Sequence, residues 1–365
     1  FLAGFVEFVW KLGSLRGAQP SELCHRFVLV AMAMLPSSSQ SSRPLVIVAT
    51  AGAITGALLS AAVCLKKVMI SRRKKKIFYI FGHPVALSAS PTMQNVGFRV
   101  NGKPYFYDRY DAPNVEDVVK KLAEPSTGGG SVTIPHKETL MPYMDEVSES
   151  ARAIGAVNTV TKDPVTGKLH GDNTDWIGIK QQLLPKIKDR GGTQVGLIVG
   201  AGGTARAAAY AFKSLDLGKI YILNRTFEKA KVIAQEFGEG VFEAVSDVSK
   251  LSHLTRLDAV MGTLPGQAGF TLPDEMLQRF KPAVIEAAYR SSSSGTRFTP
   301  LLEQAAAAGC ETIEGLEMLF EQGCAQCELW TGKPAPRCEI ATALLADRFP
   351  DDNNPPKNLA REAKR

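Results

Sequence analysis

Residues 195–205 limit the fold more than any other stretch. Val195–Val199 is a short apolar run of the kind that forms a buried strand. Gly200-Ala201-Gly202-Gly203-Thr204-Ala205 follows, and residues 205–215 read as a helix. A strand that passes through G-x-G-x-x-A into a helix is a βα unit. Its glycines permit a tight turn and a close backbone approach to a pyrophosphate at the helix N-terminus. The next strand, Lys219–Leu223, ends in Asn224-Arg225-Thr226. An acidic residue there would bind a ribose 2′-hydroxyl, whereas an arginine between Asn and Thr suits a 2′-phosphate. Lys229, one turn into the following helix, adds positive charge. A solvated arginine at a strand end is the plain alternative, and the glycine-rich turn upstream weighs against it. The expected cofactor is therefore NADP(H). Asn224-Arg225-Thr226 is also a glycosylation sequon, but a glycan there would block the cofactor, which favours the cytosol.

Strands continue after this unit, at 258–261 and 283–287. The loop holding Thr263 sits at a strand's carboxyl end, where a nicotinamide would lie. Helical runs at 314–330 and 339–349 should pack back on the first half of the chain. Cys324 and Cys327 form a C-x-x-C inside the first of these runs. With six cysteines in all and no second pair at metal spacing, a structural zinc and a disulfide framework are both unexpected, and a reducing compartment is the simpler reading.

The first half of the globular part also alternates strands and helices. Residues 77–81 read as a strand, followed by the loop Val85-Ala86-Leu87-Ser88-Ala89-Ser90-Pro91. In an extended loop, Ser88 and Ser90 would present both hydroxyls to one side, which suits a small carboxylate. Ser90 as a helix cap with Pro91 in the first turn fits equally well. Residues 105–110 read as a strand and 115–122 as a helix. The stretch Ser131-Val132-Thr133-Ile134-Pro135-His136-Lys137 reads as the end of a buried strand stopped by a proline. It delivers Lys137 on or near the first turn of a helix. Residues 156–160, with Asn158, read as another strand, and the polar loop 171–176, with Asp175, enters a helix at 177–184. Ligands of mainly parallel sheets bind at the carboxyl ends of strands, where Lys137, Asn158 and Asp175 all fall. A lysine oriented by an aspartate is an acid/base pair. A solvated lysine and a helix N-terminal carboxylate are the corresponding plain alternatives.

The formal charge of +7 is unevenly spread. Residues 1–76 hold 11 Lys/Arg and 2 Asp/Glu, while the rest holds 32 and 34. The basic character thus belongs to an N-terminal extension, and no nucleic-acid partner is expected for the globular part. Residues 46–65 are 20 uncharged positions, about the length that spans a bilayer as a helix, and seven basic residues follow between Lys66 and Lys76. The segment reads as a membrane anchor that leaves the catalytic part in the cytoplasm. A targeting segment and untranslated sequence fit the same composition. Residues 350–365, with Asp351-Asp352-Asn353-Asn354-Pro355-Pro356, read as a disordered tail.

Taken together, residues 77–349 resemble shikimate dehydrogenases. The resemblance rests on Ser88-Ala89-Ser90-Pro91, Ser131 to Lys137, Gly155-Ala156-Val157-Asn158-Thr159, Gly171 to Asp175, Gly200 to Ala205, Asn224-Arg225-Thr226, and Gly315-Leu316-Glu317-Met318 with Gln322. Trp176, the Gly203 to Ala208 run and Leu329-Trp330-Thr331-Gly332 are similar to the shikimate dehydrogenase module of the fungal five-enzyme AROM polypeptide. The resemblance implies an α/β enzyme of two domains. Residues 77–188 with 312–349 would form the substrate domain, and 189–311 a Rossmann-type NADP-binding domain. It further implies reversible NADPH-dependent reduction of 3-dehydroshikimate to shikimate. Lys137 and Asp175 would be the catalytic pair. Ser88, Ser90 and Tyr289 would hold the carboxylate, and Thr133, Asn158 and Gln322 the ring hydroxyls. Three features depart from the usual pattern: Met261-Gly262-Thr263 in the nicotinamide loop, Glu286 where Asp is common, and a longer loop from Arg290 to Gly295. A quinate dehydrogenase shares the fold and the Lys/Asp pair. A non-catalytic regulator of quinate metabolism would be expected to have lost Lys137 or Asp175.

Overall fold

The computed structural model describes residues 75–365 apart from 189, 290–297 and 353. The apolar segment 46–65 and the loop from Arg290 to Gly295 fall outside the described residues. Among the described residues no helix is long and apolar enough to cross a membrane.

Two six-stranded sheets organise this part of the chain. The first contains β1 (Lys76–Gly82), β2 (Tyr105–Asp111), β3 (Thr127–Val132), β4 (Glu146–Val147), β5 (Thr159–Lys162) and β6 (Leu169–Asp172), in the order β2-β1-β3-β5-β6-β4. Helices α1 (Ser90–Val100), α2 (Val115–Ala123) and α3 (Glu149–Ile154) connect them. β1, β2 and β3 are parallel, as the alternating pattern suggests, but β5 runs antiparallel to both β3 and β6. The expected strand at 156–160 therefore starts later, at Thr159, and Asn158 precedes it. Because β5 is reversed, its beginning lies beside the ends of β3 and β6: Thr159 is opposite both Ser131 and Asp172. Asn158 thus reaches the same sheet edge as Lys137 and Asp175 by a different route from theirs.

β3 has the sequence TGGGSV, a poor strand former by composition. Packing explains it. A Cβ at Gly129 would lie 2.1 Å from the Val160 carbonyl oxygen, and Gly129 adopts φ +137°. Glycine lets the neighbouring backbone approach this closely.

The second sheet is wholly parallel. It holds β7 (Val195–Val199), β8 (Lys219–Leu223), β9 (Phe242–Val245), β10 (Ala259–Gly262), β11 (Ala283–Glu286) and β12 (Glu311–Ile313), ordered β12-β11-β10-β7-β8-β9. Leu197, Ile198, Ile220, Ile222, Val260 and Ile285 are fully buried, as expected where helices cover both faces. α4 (Asp175–Ile187), α5 (Gly203–Ser214), α6 (Phe227–Phe237), α7 (Asp274–Phe280) and α8 (Pro300–Ala307) complete this part. Ala205, Ala207, Ala208 and Ala209 of α5 are buried with Ile198, Ile220, Ile222 and Ile285, their small side chains bringing the helix close to the sheet. The chain changes direction across the sheet between β7 and β10, and a crevice opens at their carboxyl ends.

α9 (Gly315–Thr331) and α10 (Arg337–Arg348) return to the first sheet, as the sequence suggests, and pack against α1. The described residues of 350–365 are not the disordered tail expected from their composition. Residues 357–362 form a short helix, α11 (Lys357–Glu362), with Leu359 buried against α1, α9 and α10. The Asn358 N–H donates to Glu317 Oε1 at 2.9 Å, and Asn358 Nδ2 donates to Gln182 Oε1 at 2.7 Å. One apolar anchor and two buried acceptors outweigh the polar composition.

Candidate active site

A cavity of about 340 Å³ lies where the carboxyl ends of the two sheets face each other. Ser88, Ser90, Thr133, Lys137, Asn158, Asp175, Tyr289 and Gln322 all line it. Thr204, from the glycine-rich turn, and Thr263 line it from the opposite side.

β3 delivers Lys137, though not on a helix. Residues 134–140 are a succession of turns, because Pro135 ends the ladder and no helical periodicity follows. Asp175 is the first residue of α4, after β6. Lys137 Nζ lies 2.5 Å from Asp175 Oδ2 and donates to Thr204 Oγ1 at 3.3 Å. The two side chains are 13% and 7% exposed. A paired ammonium and carboxylate at the wall of a cavity can orient and move a proton, whereas a surface pair would be largely screened.

Asn158 extends the pair into a network. Its Nδ2 lies within hydrogen-bonding distance of Asp175 Oδ1 (2.8 Å), Thr174 Oγ1 (3.0 Å) and Gln322 Oε1 (3.1 Å). Its Oδ1 accepts from the Thr174 N–H and from Thr159 Oγ1, both at 2.7 Å. Behind it runs a second row of buried hydroxyls and amides that sequence reasoning did not single out. Tyr107 OH donates to Ser131 Oγ at 2.7 Å, Ser131 Oγ to Gln326 Oε1 at 2.8 Å, and Gln326 Nε2 to Thr159 Oγ1 at 2.9 Å. One signal was available: Gln326 stands four residues after Gln322, on the same helix face, among apolar neighbours.

The serine pair lies at the other end of the cavity. Ser88 Oγ donates to Ser90 Oγ at 3.2 Å and accepts from the Ser90 N–H at 3.3 Å. The hydroxyls therefore do share one side. The N-cap of α1 is Ala89, with no side-chain cap, so Ser90 does not cap the helix as the alternative reading had it. Burial pushes the Tyr289 phenol up, and the Arg348 guanidinium and a hydrogen bond with Ser88 oppose it.

The glycine-rich turn follows β7. Gly200 has φ +114°, and a Cβ there would lie 2.2 Å from Thr263 Oγ1. A Cβ on Gly202 would meet nothing within 4 Å, and α5 starts at Gly203 with no side-chain cap. Its first N–H groups are thus presented to open space, the arrangement that receives a pyrophosphate. Ala201 packs partly buried against the core and Ala205 is fully buried in it, so both support the turn through packing. Asn224, Arg225, Thr226 and Lys229 lie beyond the end of β8, away from the cavity. Asn224 Nδ2 donates to the Thr226 carbonyl at 2.9 Å, which shapes that loop. Arg225 and Lys229 are both exposed there.

Glu286, at the end of β11, accepts from Thr299 Oγ1 at 3.0 Å, and burial pushes its carboxyl up to about 7. Cys324 and Cys327 are buried in α9, and burial pushes the Cys327 thiol up to about 11. Among the described residues no group of three His, Cys, Asp or Glu side chains could hold a metal ion.

Comparison with known proteins gives matches along the chain. The shikimate dehydrogenase substrate-binding domain matches residues 80–160. The shikimate/quinate 5-dehydrogenase model matches residues 182–282, and the shikimate 5′-dehydrogenase C-terminal domain matches residues 315–345. The pentafunctional AROM polypeptide of Eremothecium gossypii is 37% identical over 295 residues, which are 75% of this chain and 18% of that protein. The chain thus spans under a fifth of the length of the curated relatives it matches. Shikimate 5-dehydrogenase of Thermus thermophilus, solved with NADP(H) and shikimate, is 31% identical with a TM-score of 0.62. That match covers 74% of this chain and 98% of the solved one. Quinate dehydrogenase of Corynebacterium glutamicum, solved with NAD, is 25% identical with a TM-score of 0.64, covering 74% and 99%.

Proposed function

The chain belongs to the shikimate dehydrogenase family, and we propose that it catalyses the reversible NADP-dependent reduction of 3-dehydroshikimate to shikimate. The Lys137–Asp175 pair carries this reading, because it sits in a cavity between a serine pair and a dinucleotide-type turn. In the same reading, residues 77–188 with 312–349 form the substrate domain and 189–311 the cofactor domain.

Ser88, Ser90 and Tyr289 bind the carboxylate of the ring acid through their hydroxyls. Thr133, Asn158 and Gln322 receive the ring hydroxyls. Asp175 holds the Lys137 ammonium and one ring hydroxyl in a fixed relation. In the reduction, Lys137 gives a proton to the oxygen that was the carbonyl; in the oxidation, it takes that proton back from the hydroxyl. The backbone of residues 200–205 would hold the pyrophosphate of NADP(H), Asn224, Arg225, Thr226 and Lys229 its 2′-phosphate, and Thr263 would border the nicotinamide. Bound NADPH supplies the hydride.

The test is the oxidation of NADPH on addition of 3-dehydroshikimate to the purified full chain. Steady turnover supports the reading. A folded protein with no turnover in either direction refutes it.

The proposal extends to location. The uncharged run 46–65 and its basic flank favour an anchored enzyme with its active site in the cytoplasm. Pelleting of the full chain with membranes after carbonate extraction is expected, and complete release would overturn the anchor.

A further inference from the structure

We infer that Arg109 and Arg348 position the serine loop and that Arg109 sets its preference for an anionic ring acid. The inference rests on the carboxylate-binding role proposed for Ser88, Ser90 and Tyr289.

The loop of residues 83–89 joins β1 to α1 and is held from two elements, β2 and α10. Asp111, at the end of β2, accepts from the Val85 N–H at 3.1 Å and shares a hydrogen bond of 2.9 Å with His83 Nδ1. Arg109 Nη2, also on β2, donates to the Ser88 carbonyl at 2.7 Å. Arg348 Nη2, in the last turn of α10, donates to the Leu87 carbonyl at 3.0 Å. Two consecutive carbonyls are thus each engaged by a guanidinium. A carbonyl turned to an arginine cannot present its negative end to an incoming carboxylate, so the loop offers hydroxyls and no opposing dipole. Both guanidiniums also act on Tyr289, the third hydroxyl of the group, each opposing the upward push of burial.

The two arginines differ in charge environment. Arg348 Nε lies 2.9 Å from Asp347 Oδ2, which offsets its charge, and Asp347 also accepts from Thr92 Oγ1 at 3.1 Å. Arg348 therefore acts chiefly through geometry, tying α10 and α1 to the loop. Among the described residues Arg109 forms no ion pair, so no carboxylate offsets its charge, which acts on Tyr289 at the cavity wall. Its exposure moderates the effect through solvent screening.

The experiment compares the full chain with its Arg109→Gln, Arg109→Lys and Arg348→Gln variants at saturating NADP. The substrates are whichever ring acid the wild type oxidises, shikimate or quinate, and its neutral methyl ester. Arg109→Gln is expected to raise KM for the acid about tenfold while changing kcat and the ester KM less than about twofold. Arg109→Lys, which keeps the charge, should recover most of that loss. Arg348→Gln should raise the acid and ester KM values alike. An unchanged acid KM in Arg109→Gln, or equal effects on acid and ester, would overturn the inference. A wild type that oxidises neither acid would overturn the proposed function and this inference with it. That outcome is distinct from an active enzyme indifferent to Arg109.

Discussion

Lys137→Ala is expected to lower kcat by at least ~10²-fold, the ordinary cost of losing a general acid/base. The fold should survive. Lys137 lies in a turn, its side chain lines a cavity, and alanine keeps the Cβ that packs near Gly203. The KM for shikimate should change far less than kcat, since the serine loop holds the other end of the ring. Asp175→Asn should follow in the same direction, because it leaves the ammonium of Lys137 without its carboxylate at 2.5 Å. Steady-state kinetics beside a circular dichroism spectrum check both. Near-normal turnover in folded Lys137→Ala would remove the lysine from the chemistry.

Arg225→Ala is expected to raise the KM for NADP by about 10- to 100-fold and that for NAD by less than about twofold. A guanidinium–phosphate contact is charge-assisted and bidentate, and each 1.4 kcal/mol lost is about tenfold. Arg225 is exposed at the end of β8 and forms no hydrogen bond or ion pair among the described residues, so its removal should not disturb the fold. Lys229 nearby sets the floor of the effect by leaving some positive charge. Equal losses with the two cofactors would show that Arg225 does not contact the 2′-phosphate.

The parallel sheet around Val195–Val199 was legible because its strands are short, apolar and separated by helices. Lys137 and Asp175 were legible as polar residues after the carboxyl ends of such runs, whereas Asn158, expected at such an end too, stands before the reversed β5. The reversal of β5 was not. The short turn at Pro164 and Gly167 allows only an antiparallel pair, but Leu169–Asp172 did not stand out as a strand beside the polar loop that follows it. α11 was hidden because its order comes from Leu359, Asn358 and partners far away in the chain, not from composition. The row from Tyr107 through Ser131 to Gln326 was hidden for the same reason: Ser131 and Gln326 are 195 residues apart. The clamp on the serine loop likewise spans 261 residues between Arg348 and Leu87. A motif can name the residues that meet a ligand more readily than those that hold them in place.

The most direct measurement is kcat/KM of the full chain for shikimate and for quinate, each with NADP and with NAD. The serine pair, the Lys137–Asp175 pair and Arg225 together predict the highest value for shikimate with NADP. A highest value for quinate with NAD would contradict the account at both the ring-acid end and the 2′-phosphate end of the site.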